Sequence, residues 1–129
     1  MRKVIRTTEA PIPQGVYSQA IIAEGLIFVA GQIAINPATN QVEPGDIRSE
    51  TRRVLRNVQV ILIAGGSSLR DVVRLGVFMS DLKDFAAMNE VFKEFFPDNP
   101  PARTTVQVQL PKGLKIEIDC IGRLRKKRK

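Results

Sequence analysis

The chain contains no histidine and no tryptophan, and a single cysteine, Cys120, among its 129 residues. Without histidine there is no Ser-His-Asp triad, no Cys-His pair and no imidazole to move protons near neutral pH. Zinc and its neighbours lose their commonest ligands, because a lone thiolate cannot build a site. One cysteine excludes an internal disulfide and fits a reducing compartment, so a cytoplasmic location is expected. No run approaches the roughly 18 apolar residues that span a bilayer, and no membrane association is expected. The opening Met1-Arg2-Lys3-Val4-Ile5-Arg6 is charged and lacks the apolar core of a secretory signal. What remains for acid–base chemistry is carboxylates, lysines, one tyrosine and bound water.

Apolar residues make up 43% of the chain, a globular proportion at a length that suits one domain. The net charge of +7 is unevenly spread. The last seven residues, Arg123-Leu124-Arg125-Lys126-Lys127-Arg128-Lys129, hold six of the twenty basic side chains. The remainder has fourteen basic and thirteen acidic residues, a net of +1. The chain therefore reads as one folded domain over 1–122 and a basic tail over 123–129. Such a tail attracts RNA or an acidic partner, but it carries no aromatics on which bases could stack, and a frayed end is the plainer reading.

Hydrophobic periodicity gives the order βββαβαββ. Val4-Ile5 reads as a short strand, and Pro11-Ile12-Pro13-Gln14-Gly15 as a loop. Tyr17 to Ala23 and Leu26 to Ile33 read as two strands joined at Glu24-Gly25. Asn36-Pro37-Ala38-Thr39-Asn40 reads as a turn. Ile47, Thr51, Val54, Leu55, Val58, Ile61 and Leu62 recur at helical spacing, with Asp46 as N-cap and Gly65-Gly66 as the stop. Ser68-Leu69-Arg70-Asp71 has the pattern of a capping box. Val72 to Met79 is apolar on both faces, as in a strand covered from two sides. A second helix follows Asp84, with Phe85, Met88, Val91, Phe92 and Phe95 on one stripe and Pro97 beyond it. A strand after Arg103 runs to Leu110, and Leu114 to Gly122 alternates to give the last one. This is an α+β mixed sheet with two helices on one face. The bare second face calls for another copy of the chain, hence a closed oligomer.

Five polar or small positions stand out. Arg103, in Pro100-Pro101-Ala102-Arg103-Thr104-Thr105, is delivered to a loop–strand junction by a stiff approach, where its planar fork of donors suits a carboxylate. Tyr17 is the only tyrosine, at the expected start of the second strand. Gly31 is a small residue in a strand, where backbone can approach a ligand or a bulge can form. Asn89 follows core position Met88 on the second helix. Glu117 falls on the polar face of the last strand, expected across a hairpin from Arg103. Singly, each also reads as an ordinary structural residue.

Together they do not. The segments Tyr17-Ser18-Gln19-Ala20, Ala30-Gly31-Gln32, Met88-Asn89-Glu90-Val91-Phe92, Pro101-Ala102-Arg103, Leu110-Pro111-Lys112 and Ile116-Glu117-Ile118-Asp119, in this order and spacing, resemble the RidA (YjgF-type) family of reactive intermediate deaminases over nearly the whole chain. The resemblance implies a chorismate-mutase-like fold and a homotrimer with its sites in the clefts between subunits. It implies hydrolysis of 2-imino and enamine acids, such as 2-iminobutanoate and 2-iminopropanoate, to 2-keto acids and ammonia. Carried over by position, Arg103 would grip the substrate carboxylate, Glu117 would orient or deprotonate the attacking water, and Tyr17 would steady the imine end. Gly31 and Thr105 would offer backbone groups, Ala30 would line the pocket, and Asn89 would shape the cleft. A protonated imine is already a strong electrophile, so neither metal nor cofactor is expected.

The chain departs from the family pattern at Ala30, where many members have serine, at Thr105, where cysteine is common, and at Val16, where proline usually precedes the tyrosine. Cys120 falls on the core face of its strand and reads as packing. Two other readings stand beside the deaminase: an endoribonuclease or RNA-binding inhibitor of translation acting through the basic tail, and a non-catalytic trimer that binds ligands or acts as a chaperone.

Overall fold

The computed structural model describes residues 2–125; the end of the basic tail, 126–129, lies outside them. The described chain forms β1 (Lys3–Ile5), β2 (Ala20–Ala23), β3 (Leu26–Gln32), β4 (Ile35–Asn36), β5 (Gln41–Val42), α1 (Ile47–Ala64), β6 (Val72–Met79), α2 (Phe85–Phe95), β7 (Ala102–Gln107) and β8 (Ile116–Arg123). Six strands make one mixed sheet in the order β1-β2-β3-β8-β6-β7, and β4-β5 is a separate hairpin. Only β6 and β7 pair in parallel, across the α2 crossover.

α1 forms where the sequence predicts it. The Asp46 carboxylate accepts from the Ser49 amide at 2.8 Å, and the Gly65 N–H closes the last turn on the Ile61 and Leu62 carbonyls. Gly66 then takes φ of +85°, which a residue without Cβ adopts at no steric cost. The buried stripe Val54, Leu55, Val58, Ile61 and Leu62 rests on β8 and β3. Each such side chain contributes about 1.5–3 kcal/mol on burial. From the other side Ile116, Ile118 and Cys120 of β8 meet the helices, while Glu117 and Asp119 face away. The alternation read from the sequence holds for this strand.

Several expectations need correction. β8 does not form a hairpin with β7. It inserts between β3 and β6, antiparallel to both, where its core face of Ile116, Ile118 and Cys120 is fully buried. β7 begins at Ala102, so Arg103 lies within the strand, and it ends at Gln107 rather than Leu110. Tyr17 is not in β2. The Gln19 side chain binds Thr7 and Pro11, and the preceding residues leave the sheet as a loop. The turn at 36–40 is the bend of the β4–β5 hairpin. The Ser68 side chain accepts from no backbone N–H of the short turn it starts; its hydroxyl donates to the Asp71 carboxylate at 2.7 Å, while its carbonyl accepts from the Asp71 amide at 3.0 Å. β8 runs on to Arg123, the Leu124 N–H reaches the Gly25 carbonyl, and Arg125 pairs with Asp71 at 2.9 Å, so the first residues of the expected tail are tied to the body.

The face opposite the helices is uncovered in the single chain and carries Phe28, Phe78, Ile121 and Val106. Phe28 and Val106 are 41% and 40% exposed. Of the two faces of β6, the one with Leu75, Val77 and Met79 is packed by this chain; the other carries Arg74, Gly76 and Phe78, so the strand is less apolar on that side than its sequence suggests.

The buried carboxylate of Glu50 joins α1 to β8. It accepts from the Gly45 amide at 3.1 Å and from the Lys115 amide at 2.8 Å, two residues before Glu117. Glu50→Ala leaves both donors without their partner, and a loss of about 2–4 kcal/mol is expected in denaturant unfolding. Glu50→Gln, which keeps an acceptor oxygen, retains a larger share of the stability. Equal loss in the two variants would contradict this role.

Candidate active site

Arg103 projects from β7 onto the helix side, level with buried Leu75 of β6. There α2 holds it. Nη1 donates to the Asn89 side-chain oxygen at 2.7 Å and lies 3.9 Å from the Met88 sulfur. The guanidinium carbon sits 5.0 Å from the centre of the Phe92 ring and 5.4 Å from that of Phe85. Two ring faces and one amide thus fix the plane of the fork. Burial pulls its pKa below the ordinary value, and no charge offsets that. Arg48, Arg52 and Arg125 pair with Glu90, Glu94 and Asp71. Among the described residues no carboxylate pairs with Arg103. A half-buried cation held rigidly beside Asn89, with no counter-charge, is a receptor for an anion.

Glu117 is on the other face. β3 bulges where Ala30 and Gly31 together stand opposite Asp119, between the pairs Val29–Cys120 and Gln32–Ile118. The Glu117 carboxylate lies across this bulge, so that a Cβ at position 31 would overlap it. A Cβ at position 31 would push the Glu117 carboxylate aside, so Gly31 lets that carboxylate rest over the bulge. Burial, and then the negative charge of Asp119, raise the Glu117 pKa above the ordinary 4.5. A cavity of about 350 Å³ opens over it, lined among others by Pro13, Tyr17, Ala30, Gly31 and Glu117. The Tyr17 hydroxyl accepts from the Gln14 amide at 3.1 Å, which leaves its own proton free to donate.

The sequence-predicted residues thus fall into two groups. Tyr17, Ala30, Gly31 and Glu117 share one cavity. Arg103 and Asn89 line another, beside α2. Thr105 lies on the same face of β7 as Arg103, level with buried Val77. Glu117 is level with Phe78, which is level with Val106, three residues along β7 from Arg103. With strands spaced at ~4.8 Å and ~3.3 Å per residue, the two positions are about 10 Å apart sideways and about 10 Å along, on opposite faces. No small molecule touches both within one chain.

Three contributors escape sequence reading. Phe85 and Phe92 read as plain core stripe, and nothing in their spacing marks them as a clamp for a cation. Gln19 reads only as part of a motif, yet it is 3% exposed and anchors the loop that carries Tyr17. Among the described residues no group of His, Cys, Asp or Glu is placed to hold a metal ion. Among the described residues no helix is long and apolar enough to cross a membrane.

Residues 7–124 match the family model described as endoribonuclease L-PSP, and the chain belongs to this RidA/YjgF family. It is 50% identical to a RutC family protein of Pyrococcus horikoshii over 95% of this chain and 98% of that one. It is 43% identical to the 2-iminobutanoate/2-iminopropanoate deaminase of Rattus norvegicus over 95% and 90% of the two chains. Among solved structures, E. coli TdcF with bound serine superposes with a TM-score of 0.89 at 39% identity, covering 95% and 99% of the two chains. The fold is the chorismate-mutase-like α+β fold of these structures.

The electrostatics of the Glu117 half carry a direct test. The midpoint of the Glu117 carboxyl, followed by carbon-13 NMR, is expected above 4.5 and should fall in Asp119→Asn, which removes a like charge. A midpoint that stays put or rises in that variant contradicts the assignment of cause.

Proposed function

We propose that this protein hydrolyses small 2-imino acids to 2-keto acids and ammonia, in clefts that form between three copies of the chain. The observation that carries the reading is the split site. A half-buried guanidinium without a counter-charge lies on one face, and a carboxylate with raised pKa lies on the other. Two copies can supply both halves to one small molecule, and the uncovered apolar face opposite the helices gives them a surface to meet on. The rat relative is named for this reaction, and the TdcF structure holds serine, a molecule of similar size with a carboxylate. The single cysteine is consistent with action in the cytoplasm.

In this reading Arg103, steadied by Asn89, Phe85 and Phe92, takes the substrate carboxylate by two parallel hydrogen bonds. Gly31 and Thr105 lie along the cleft and offer backbone groups. The imine carbon then stands over Glu117 of a neighbouring copy. Glu117 accepts a proton from water as the water oxygen bonds to that carbon and the C=N π pair moves to nitrogen. The proton passes on to nitrogen. The C–N bond breaks, ammonia leaves, and the carbonyl forms as the hydroxyl proton is lost. Tyr17 holds the nitrogen end. A positioned base of this kind contributes about 10²–10⁴-fold. The raised pKa strengthens Glu117 as a base, and turnover should climb with pH as the solution passes above that value.

The RNA-directed reading draws on the family description and on the tail. Of the α1 arginines, Arg48 and Arg52 are engaged by Glu90 and Glu94 and so are less available to RNA.

A threonine dehydratase that releases 2-iminobutanoate provides the assay. Wild-type protein is expected to speed 2-ketobutanoate formation. Arg103→Ala should lower kcat/KM by about 10²-fold or more, the value of a charge-assisted bidentate contact, with the assembly intact by light scattering. Full activity in that variant defeats the reading.

A further inference from the structure

Two carboxylates of β8 point to the uncovered face, and each rests over a glycine of a neighbouring strand. Glu117 covers Gly31 of β3, and Asp119 covers Gly76 of β6, which stands level with it. Gly76 is buried although its strand face is open, because side chains close over it. The Asp119 carboxylate is one of them, since a Cβ at position 76 would overlap its Oδ1. Arg74 is another, with Nη1 3.5 Å from where that Cβ would sit. The two opposite charges therefore stand within about 6 Å of each other over one glycine, where attraction strengthens as water leaves.

They are not joined in the single chain. Arg74 Nη2 donates to the Thr104 hydroxyl at a long 3.4 Å. Among the described residues neither Arg74 nor Asp119 has an ion-pair partner. Other groups that bear on Glu117 are few. Tyr17 shares its cavity, β3 brings Ala30 and Gly31, and Phe78 of β6 stands level with it. Lys115, two residues earlier on β8, leans toward Glu50 at 3.9 Å. Arg123 lies at the far end of the strand. After burial, Asp119 is what raises the Glu117 pKa. Arg74 is level with Ile121, about 13 Å along the sheet from Glu117, so it is placed to answer Asp119 and not Glu117.

We propose that Arg74 is a positioning residue for the base: when a second copy covers this face, Arg74 closes on Asp119, holds that carboxylate over Gly76 and away from Glu117, and so sets the acidity at which Glu117 loses its charge. The inference rests on the imine-hydrolase reading for its consequence, because a protonated Glu117 cannot take a proton from water. A carboxylate covered without a partner is costly, and the Arg74 guanidinium is the cation beside it.

The midpoint of the Glu117 carboxyl, followed by carbon-13 NMR in the assembled protein, tests this. Arg74→Met leaves the Asp119 charge unanswered, and the midpoint should rise by about half a unit or more. Arg74→Lys keeps the cation and should hold the midpoint near the wild-type value. In an Asp119→Asn background, Arg74→Met should move it by less than about half as much, because Arg74 acts through Asp119. The acid limb of kcat/KM for 2-iminobutanoate should shift in the same order. Light scattering checks assembly, and Arg74→Gln, also neutral, carries the same expectation if the methionine variant does not assemble. No rise in the neutral variant overturns the proposal, and so does an equal rise with and without Asp119. The expected midpoint shifts without any imine turnover would defeat the hydrolase reading and leave the Arg74–Asp119 pairing standing.

Discussion

The Arg103 guanidinium is the constraint around which the chain is arranged. It is half-buried, pressed between the rings of Phe85 and Phe92, and bound to Asn89 at 2.7 Å, yet it faces no carboxylate among the described residues. Partial burial of an uncompensated charge costs stability, and a chain selected for stability alone would pair it or replace it with an apolar residue. By contrast Arg48 and Arg52 of the helical surface are paired with Glu90 and Glu94. An anion supplied from outside is the natural complement, and a small carboxylic acid matches the planar fork.

Topology decides where the second half of the site must come from. The insertion of β8 between β3 and β6 places Glu117 two strands away from Arg103 and on the opposite face. The apolar face that carries Phe28, Phe78, Ile121 and Val106 is the same face on which Glu117 waits. In the proposed reading, covering that face and completing the site are one event, so activity requires assembly.

Much of this was legible beforehand. The period of α1, its Asp46 cap and its Gly65-Gly66 stop are local properties, and the structure places them as read. The alternation of β8 is a hydrophobic pattern and survives for the same reason, whereas of Val72–Met79 only the face of Leu75, Val77 and Met79 is apolar throughout. The strand order was not legible, because pairing depends on which apolar face is buried deepest and not on neighbours in sequence. The loop around Tyr17 escaped notice because a side chain, Gln19, rather than the backbone pattern, decides where β2 begins. Gly31 suits either the approach of a ligand or a bulge; β3 does bulge there, with the carboxylate of Glu117 lying over it. The aromatic clamp on Arg103 could not be told from core packing, since Phe85 and Phe92 obey the same helical spacing either way.

The central claim is that Arg103 and Glu117 meet only across a boundary between copies. Mixing two inactive variants, Arg103→Ala and Glu117→Gln, unfolding them together and refolding the mixture tests it directly. With random assembly at equal amounts, about a quarter of the clefts combine an intact Arg103 from one copy with an intact Glu117 from the next. Imine hydrolysis should then return to about a quarter of the wild-type rate, while each variant refolded alone stays inactive. A co-refolded mixture that forms mixed assemblies by mass spectrometry and still shows no activity would contradict the account.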